Sequence, residues 1–351
     1  MQEILKHLSS LVKGFDDHTD NNVFKLHYKF SVILLIVFSI LLSSKQYFGD
    51  PIVCETAKDK ELIKVYCWIT GTFIQKKNID AAAQYESLYG LGNTVYSRSE
   101  TFTLFYYQWI CFLFCFQALL FYLPRYFWTT WEGDRLGQLP KDLRDTLVPD
   151  NWIATGQKLC SYVCDAGNHD IMAFRFAFCE LLNLCNLILQ IMIMDWYLNG
   201  KFASYGYHVA TKPYPHPMNE AFPKRTKCLY TNYGSSGSTQ VMDALCVLPL
   251  NILNEKFFLI LWYWMIILFF VTLIALIYRA MFMVWERFRI YLLMAQVRNL
   301  NRNKAVYITK HLTHGQFFLL YNLGKKLNPI VYKDLLLLIF EKMSEKYKFD
   351  I

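Results

Sequence analysis

The sequence lacks the motifs by which most enzymes are recognised. No Gly-rich phosphate loop, no GxGxxG fingerprint, no GxSxG turn and no set of protein-kinase motifs occurs in its 351 residues. Cysteine and histidine are not found at the paired spacing that is typical of zinc sites. We therefore predict a protein that is not an enzyme, with no catalytic residue, no metal site and no cofactor.

Charge is missing from long stretches of the chain. Hydrophobic residues make up 54% of the sequence, and the stretch from Thr101 to Pro124 contains no charged residue. About 20 apolar residues are enough to cross the hydrocarbon core of a bilayer. Aromatic residues crowd both ends of this stretch, as is typical of membrane interfaces. The pattern predicts a membrane protein, in which cations near anionic lipid explain the net charge of +8 without a nucleic-acid partner.

Four apolar stretches predict an all-α membrane protein built on a four-transmembrane-helix bundle. The predicted spans are residues 30–47, 102–127, 176–198 and 257–279. The third span is the least apolar, because it contains Glu180 and Asp195 toward its two ends. We expect each carboxylate to have an interfacial or helix-bundle partner, in preference to forming an ion site.

An even number of spans places both termini on the same side of the membrane. Lys and Arg are modestly enriched on that side, which the positive-inside rule assigns to the cytoplasm. The predicted cytoplasmic segments are an N-terminal helix and linker at 1–29, a loop at 128–175 and a helical C-terminal domain at 280–351. The predicted extracellular loops are 48–101 and 199–256. No cleavage site precedes the first span, so we expect that span to be retained.

Four of the ten cysteines lie in the predicted extracellular loops. Cys54 and Cys67 are in the first loop, and Cys228 and Cys246 are in the second. Paired cysteines in an oxidising compartment indicate disulfides, but four cysteines allow three connectivities, and the spacing does not choose among them. Neither loop contains an N-glycosylation site. Loops that are bare and linked by disulfides are suited to contact with another protein.

Residues 1–13 have the pattern of a short amphipathic helix. Apolar residues recur at intervals of three and four, and polar residues occupy the opposite face. So short a helix is marginal alone in water and needs a surface on which to lie. The residues alone leave two hypotheses. The helix lies on the inner membrane surface, which is the simpler interpretation, or it lies inside a pore with its polar face toward the lumen.

Several motifs resemble those of the innexins, the invertebrate gap-junction proteins. The signature is Tyr106-Tyr107-Gln108-Trp109, followed fifteen residues later by Pro124. Similar matches cover nearly the whole chain and include YFGDPIVC at 47–54, WEGDRL at 131–136, FPKRTKC at 222–228 and LCVLPLN at 245–251. Asp134 stands where the family motif has glycine, and Arg225 stands where an apolar residue is usual. The chain is identified as a member of this family, which both animals and insect-associated viruses encode.

The resemblance implies a large-pore channel in the plasma membrane at gap junctions. Subunits form a homo-oligomeric ring, with eight copies expected and six as the runner-up. Two such hemichannels dock across apposed membranes to pass ions and small metabolites. The implied partners are therefore other copies of the chain, a docked hemichannel in the adjacent cell, other innexins and the lipid bilayer.

The resemblance also implies roles for particular residues. It implies the disulfides Cys54–Cys246 and Cys67–Cys228. It favours the pore position for the N-terminal helix, whose expected pore-lining residues are Gln2, Glu3, Lys6, Ser10 and Lys13. Two alternative functions stay open: an undocked hemichannel that releases small solutes, and a non-conducting four-span adhesion or scaffold protein.

Overall fold

The computed structural model describes residues 21–56, 60–75, 91, 101–104, 106–133, 139, 152–164, 169–211, 217–234, 236–297 and 300–348. The predicted pore-lining residues lie outside the described residues; they are Gln2, Glu3, Lys6, Ser10 and Lys13.

The described residues are mostly helical. In chain order the helices are α1 (Asn22–Phe48), α2 (Lys60–Thr70), α3 (Ile110–Glu132), α4 (Trp152–Cys164), α5 (His169–Tyr197), α6 (Tyr205–Thr211), α7 (Pro217–Ala221), α8 (Pro249–Val284), α9 (Glu286–Gln296), α10 (Arg302–His311), α11 (His314–Gly324) and α12 (Pro329–Lys348). The strands are β1 (Val53–Glu55), β2 (Thr72–Gln75), β3 (Thr101–Leu104), β4 (Arg225–Tyr233) and β5 (Thr239–Val247). A short 3-10 helix, Tyr106–Gln108, precedes α3.

Four helices, α1, α3, α5 and α8, are long and apolar enough to cross a membrane. They lie at the four predicted spans, and each continues beyond at least one end of its span. The reason is that hydropathy identifies only the part of a helix that lies in the hydrocarbon core. The helix itself extends further, because backbone hydrogen bonding continues into the adjacent polar sequence. The first helix, for example, already begins at Asn22, within the segment predicted as a linker.

The second span differs from its prediction at both ends. The prediction placed it at 102–127, but α3 begins at Ile110 and continues past Pro124 to Glu132. The residues Thr101–Leu104 instead form β3, which pairs antiparallel with β2. Strand pairing satisfies the same backbone groups that a helix would satisfy. Hydropathy does not separate the two, because this strand is as uncharged as the helix that follows.

The described chain divides into two compact units. The loop unit contains the described residues within 31–120 and 186–268, and the helical unit contains those within 21–30, 121–185 and 269–348.

The helical unit has an apolar core that includes the middle loop and the C-terminal tail. The buried side chains of Phe176, Phe317, Leu320 and Val331 belong to this core. Helix α4 packs against α11 and α12, and the Gln316 side-chain amide donates to the carbonyl of Cys164 over 3.0 Å. The described residues of the tail are therefore helical and packed into this core.

An ion pair between α5 and α8 is buried in the same unit. Arg279 donates to both carboxylate oxygens of Glu180, over 2.7 and 2.9 Å. The guanidinium also lies over the rings of Phe176 and Phe318, 4.9 and 5.3 Å from their centroids. Planar, bidentate pairing of this kind fixes the relative position of two helices as well as neutralising both charges. The carboxylate near the end of the third span thus has a helix-bundle partner.

Glu180→Ala leaves the Arg279 guanidinium buried without its counter-charge. We expect the free energy of unfolding to fall by about 3–5 kcal/mol, the range found when one partner of a buried ion pair is removed. The double variant Glu180→Leu, Arg279→Met removes both charges and serves as the control, with stability close to that of the wild type. Thermal unfolding of the detergent-solubilised protein measures all three. A Glu180→Ala variant as stable as the wild type would contradict the account.

Candidate functional site in the disulfide-linked loops

The two long loops combine into one five-stranded sheet. Its order is β1-β5-β4-β2-β3, so strands from the first loop lie on both sides of the β4–β5 pair from the second. The β4–β5 pair is an antiparallel hairpin with Arg225 opposite Val247 and Tyr233 opposite Thr239. Its turn contains Gly237 at φ +78°, a conformation that favours glycine. Strands from both loops that are far apart in the sequence are thus ordered together in one sheet.

Two disulfides hold the loops together, in the pairing that the resemblance implies. Cys54 of β1 is bonded to Cys246 directly opposite it on β5. Cys67 of α2 is bonded to Cys228 of β4. Both bonds join the first loop to the second, across sequence separations of 192 and 161 residues. Long cross-links of this kind stabilise a fold chiefly by restricting the unfolded chain, typically by about 2–4 kcal/mol each.

The half-cystines form the centre of a small buried core. The sulfurs of Cys54, Cys67 and Cys246 lie within 4.8 Å of one another. Because these sulfurs are bonded in disulfides, they do not offer the thiolates that a metal ion needs. The surrounding core side chains are apolar: Ile52, Ile63, Ile74, Leu104, Tyr107, Ala244 and Leu248.

The signature tyrosine Tyr106 connects the entry of α3 to two other long helices. Its carbonyl accepts a hydrogen bond from the Tyr197 hydroxyl over 2.5 Å, at the end of α5. Its own hydroxyl accepts from the Asn251 side-chain amide over 3.2 Å, at the start of α8, and donates to the carbonyl of Ala221. The Asn251 amide also donates to the carbonyl of Pro223 over 2.7 Å. This network joins the sheet to the helix ends from which its strands emerge.

The other signature residues have separate surroundings. Tyr107 is buried in the disulfide core beside Trp68, with ring centroids 5.1 Å apart, and the Gln108 amide donates to the Trp68 carbonyl. Trp109 is 61% exposed, as suits an aromatic ring at a membrane interface. Pro124 lies inside α3 and is buried. The signature is thus an architectural motif, and its residues do not converge on a ligand site.

Asn251 is the last residue of the LCVLPLN motif, which does not indicate a partner for it, and no motif includes Tyr197. Nothing in the local pattern around either residue identifies Tyr106 as its partner, because the pairs are separated by 145 and 91 positions. A buried amide near the start of a long apolar helix is nevertheless a usable signal, since such a group requires a hydrogen-bond partner.

Ion pairs lie around the loop unit outside the long apolar runs. The buried carboxylate of Glu255 contacts Lys224 over 3.2 Å and Lys256 over 3.3 Å. Asp50, just after α1, pairs with Lys64 of α2. A hydrogen bond from that ammonium, together with its charge, holds the pKa of the exposed Asp50 carboxyl below its usual value.

Helix α2 has one apolar face against the disulfide core and another that is uncovered in a single chain. Ile63 and Cys67 are buried in the core. Four apolar residues at intervals of three and four lie on the remaining face: Leu62, Val65, Tyr66 and Ile69. Leu62 is 71% exposed and Ile69 is 69% exposed. Helix α2 is not one of the four described helices that are long and apolar enough to cross a membrane.

Among the residues that the structure describes, no third strand pairs with the outer half of the β4–β5 hairpin. In the described part of the chain, the neighbouring strands β2 and β1 pair with it near its base, at Lys227 on one side and at residues 245–247 on the other. Beyond these points it is a two-stranded ribbon that carries exposed apolar side chains, among them Tyr233 at 71% and Val241 at 70%. A free ribbon of this kind is marginal in water, and its open strand edges are able to pair with another chain.

Cys54→Ser leaves Cys246 as a free thiol beside the remaining disulfide. Because the sulfurs are neighbours, we expect thiol–disulfide exchange that links Cys246 to Cys67 or Cys228 in a substantial share of molecules. Peptide mapping under non-reducing conditions measures these linkages. The double variant Cys54→Ser, Cys246→Ser is the control and should contain only Cys67–Cys228. If Cys54→Ser contained only the native Cys67–Cys228 disulfide, Cys246 would not lie close enough to that disulfide for exchange, which would contradict the close packing of the sulfurs.

Comparison with known proteins agrees with this architecture. The family model described as Innexin matches residues 20–343. Innexin inx2 of Schistocerca americana is 40% identical over 356 residues, which cover 99% of this chain and 99% of the relative. Innexin inx2 of Drosophila melanogaster is 40% identical over 354 residues, with 98% and 96% covered. Innexin shaking-B of the same species is 36% identical over 348 residues, with 95% and 93% covered. With four apolar helices and two cross-loop disulfides, the chain belongs to the innexin family of gap-junction channel subunits.

Proposed function

We propose that this innexin subunit crosses the plasma membrane four times with both termini in the cytoplasm, forms a homo-oligomeric ring and docks with a second ring in the adjacent cell. The observation that carries the proposal is the disulfide-linked sheet with its protruding hairpin. Disulfides form and persist in oxidising compartments, which supports an extracellular position for the loop unit. The role is transport between cells, without catalysis.

The β4–β5 hairpin is the proposed docking element. Its outer half carries exposed apolar side chains on a two-stranded ribbon, and the disulfides hold its base in place. A preorganised binding surface avoids the entropy cost of ordering a loop when the partner binds. The Lys227–Asp243 pair, 3.0 Å apart, further links its two strands near the base. A docking face needs this combination of rigidity and exposed apolar surface.

The uncovered face of α2 is the proposed contact between neighbouring subunits within one ring. An apolar face in water favours burial against another protein. Closed symmetry repeats one contact around a ring, so the same face on every copy would be covered. The ring size expected from the resemblance is eight, with six as the runner-up, and other innexins are proposed as additional partners in mixed rings.

The N-terminal residues Gln2, Glu3, Lys6, Ser10 and Lys13 are proposed to line the pore entrance. The support is the amphipathic pattern of residues 1–13 together with the family resemblance. One carboxylate opposes two ammonium groups in this set, so the proposed channel selects only weakly by charge. An undocked hemichannel that releases small solutes is the second candidate, because the α2 contact completes a ring without the hairpin.

Val241→Asp places a charge in the proposed docking surface. We expect junctional conductance between paired cells to fall at least tenfold, because docking would bury the carboxylate without a partner. Current through undocked channels in single cells should be unchanged. Ile153→Asp, at a residue of α4 that is 75% exposed, is the matched control and should leave junctional conductance at the wild-type level. Equal conductance in the two variants would overturn the assignment of the hairpin.

Leu62→Asp with Ile69→Asp makes the uncovered face of α2 polar. Since neither side chain is buried in the single chain, we expect the subunit to fold. We expect its particles to have the masses of monomers or small oligomers instead of the mass of the full ring. Mass photometry of the detergent-solubilised protein measures the distribution of masses. Ile153→Asp again serves as the control and should retain the full ring. A ring of wild-type mass in the double variant would exclude this face from the subunit contact.

Lys6→Glu with Lys13→Glu reverses the cationic charge of the proposed pore entrance. We expect the reversal potential in asymmetric salt to shift toward the equilibrium potential of the cation. The reason is that fixed carboxylates raise the local concentration of permeating cations. Single-cell recordings of hemichannel current measure the shift. The charge-preserving variant Lys6→Arg, Lys13→Arg is the control. An unchanged reversal potential in the glutamate variant would remove these residues from the pore.

A further inference from the structure

A cavity of about 530 Å³ lies in the helical unit where the apolar run of α8 ends. Val271, Ile274 and Ala275 of α8 form an apolar wall in its lining. Lys325 and Lys326, which follow the end of α11, also line it. The cavity is therefore amphipathic, with hydrocarbon and cationic surfaces facing the same space.

Two lysines contribute ammonium groups to the described lining of the cavity. Arg279 also lines the cavity, but its guanidinium is held by the carboxylate of Glu180. The Lys325 ammonium lies 4.4 Å from the centroid of the Tyr321 ring. Among the described residues that line the cavity, none carries a carboxylate. The described lining thus contains ammonium groups and no carboxylate, a composition that suits an anionic group.

The position of the cavity along α8 indicates which anion it suits. Residues 257–278 contain no charged side chain, and Arg279 is the first charge after them. The apolar wall therefore belongs to the last turns of a membrane span, and the lysines lie where lipid headgroups begin. The hydroxyls of Tyr278 and Tyr321, 2.7 Å apart, lie at the same level. A soluble phosphate would use only the polar part of this cavity and leave the apolar wall without a partner.

We propose that this cavity binds an anionic phospholipid of the leaflet that adjoins the C-terminal domain. An acyl chain lies against Val271, Ile274 and Ala275, and the headgroup phosphate lies near Lys325 and Lys326. Basic pockets beside transmembrane helices are a recurrent way of holding anionic headgroups. The proposal requires neither docking nor conduction, so its failure is distinguishable from that of the proposed channel function.

Binding of a fluorescent short-chain phosphatidylserine to the full-length protein in neutral detergent tests the site by fluorescence polarisation. Lys325→Gln with Lys326→Gln should weaken binding roughly fivefold per lysine, and so about 25-fold in all. Lys310→Gln with Lys346→Gln removes the same charge from exposed positions outside the cavity and should stay within about twofold of the wild type. Equal effects of the two double variants would overturn the site.

A second variant distinguishes a lipid from a soluble anion. Ala275→Phe fills the apolar part of the cavity and leaves both lysines in place, so we expect binding of the lipid to weaken at least tenfold. Unchanged lipid binding in this variant, with displacement by millimolar inorganic phosphate, would mean that the cavity takes free phosphate and would overturn the lipid assignment. Equally tight binding of a short-chain phosphatidylcholine would overturn the requirement for an anionic headgroup.

Discussion

The loop unit depends on covalent links between segments that are far apart in the sequence. Cys54–Cys246 and Cys67–Cys228 each join the first loop to the second, across 192 and 161 residues. Sheet pairing between β1 and β5 involves three residue pairs. So few pairs offset little of the entropy that is lost when so long a loop is closed. The disulfides supply that closure and make a sheet of strands from both loops possible. The protruding hairpin then has a fixed base from which to extend.

Buried polar contacts position the long helices. Asn251 and Tyr197 hold Tyr106 at the entry of α3, and Glu180 with Arg279 joins α5 to α8 in the helical unit. In a surface that faces lipid, apolar packing alone discriminates poorly between helix registers, because lipid tails are as apolar as the side chains. A buried hydrogen-bonding or charged group, in contrast, is satisfied only when its particular partner lies beside it. These contacts therefore specify which helices meet and at which residues.

Much of the fold follows from local sequence, and the rest depends on contacts between distant residues. Hydropathy identifies all four long helices, because each contains a predominantly apolar stretch and is long enough to cross the hydrocarbon core. The two disulfides follow from the family resemblance, whereas spacing alone left three connectivities. The start of α3 at Ile110 was not predictable from composition, since β3 is defined by its pairing with β2. The sheet and the two partners of Tyr106 were not predicted either, because they too depend on contacts between residues that are far apart in the sequence. The pore-lining residues lie in a part of the chain that the structure does not describe, and they stay a prediction.

The function proposed for this chain requires that it form a channel through which current passes between cells. The most direct measurement is dual voltage clamp of paired cells, each expressing this chain alone, with surface labelling to verify that the protein reaches both plasma membranes. We expect a junctional conductance well above that of pairs in which only one cell expresses it. Absence of conductance both at the junction and through single-cell membranes, with the protein at both surfaces, would contradict the claim and favour a non-conducting adhesion or scaffold protein.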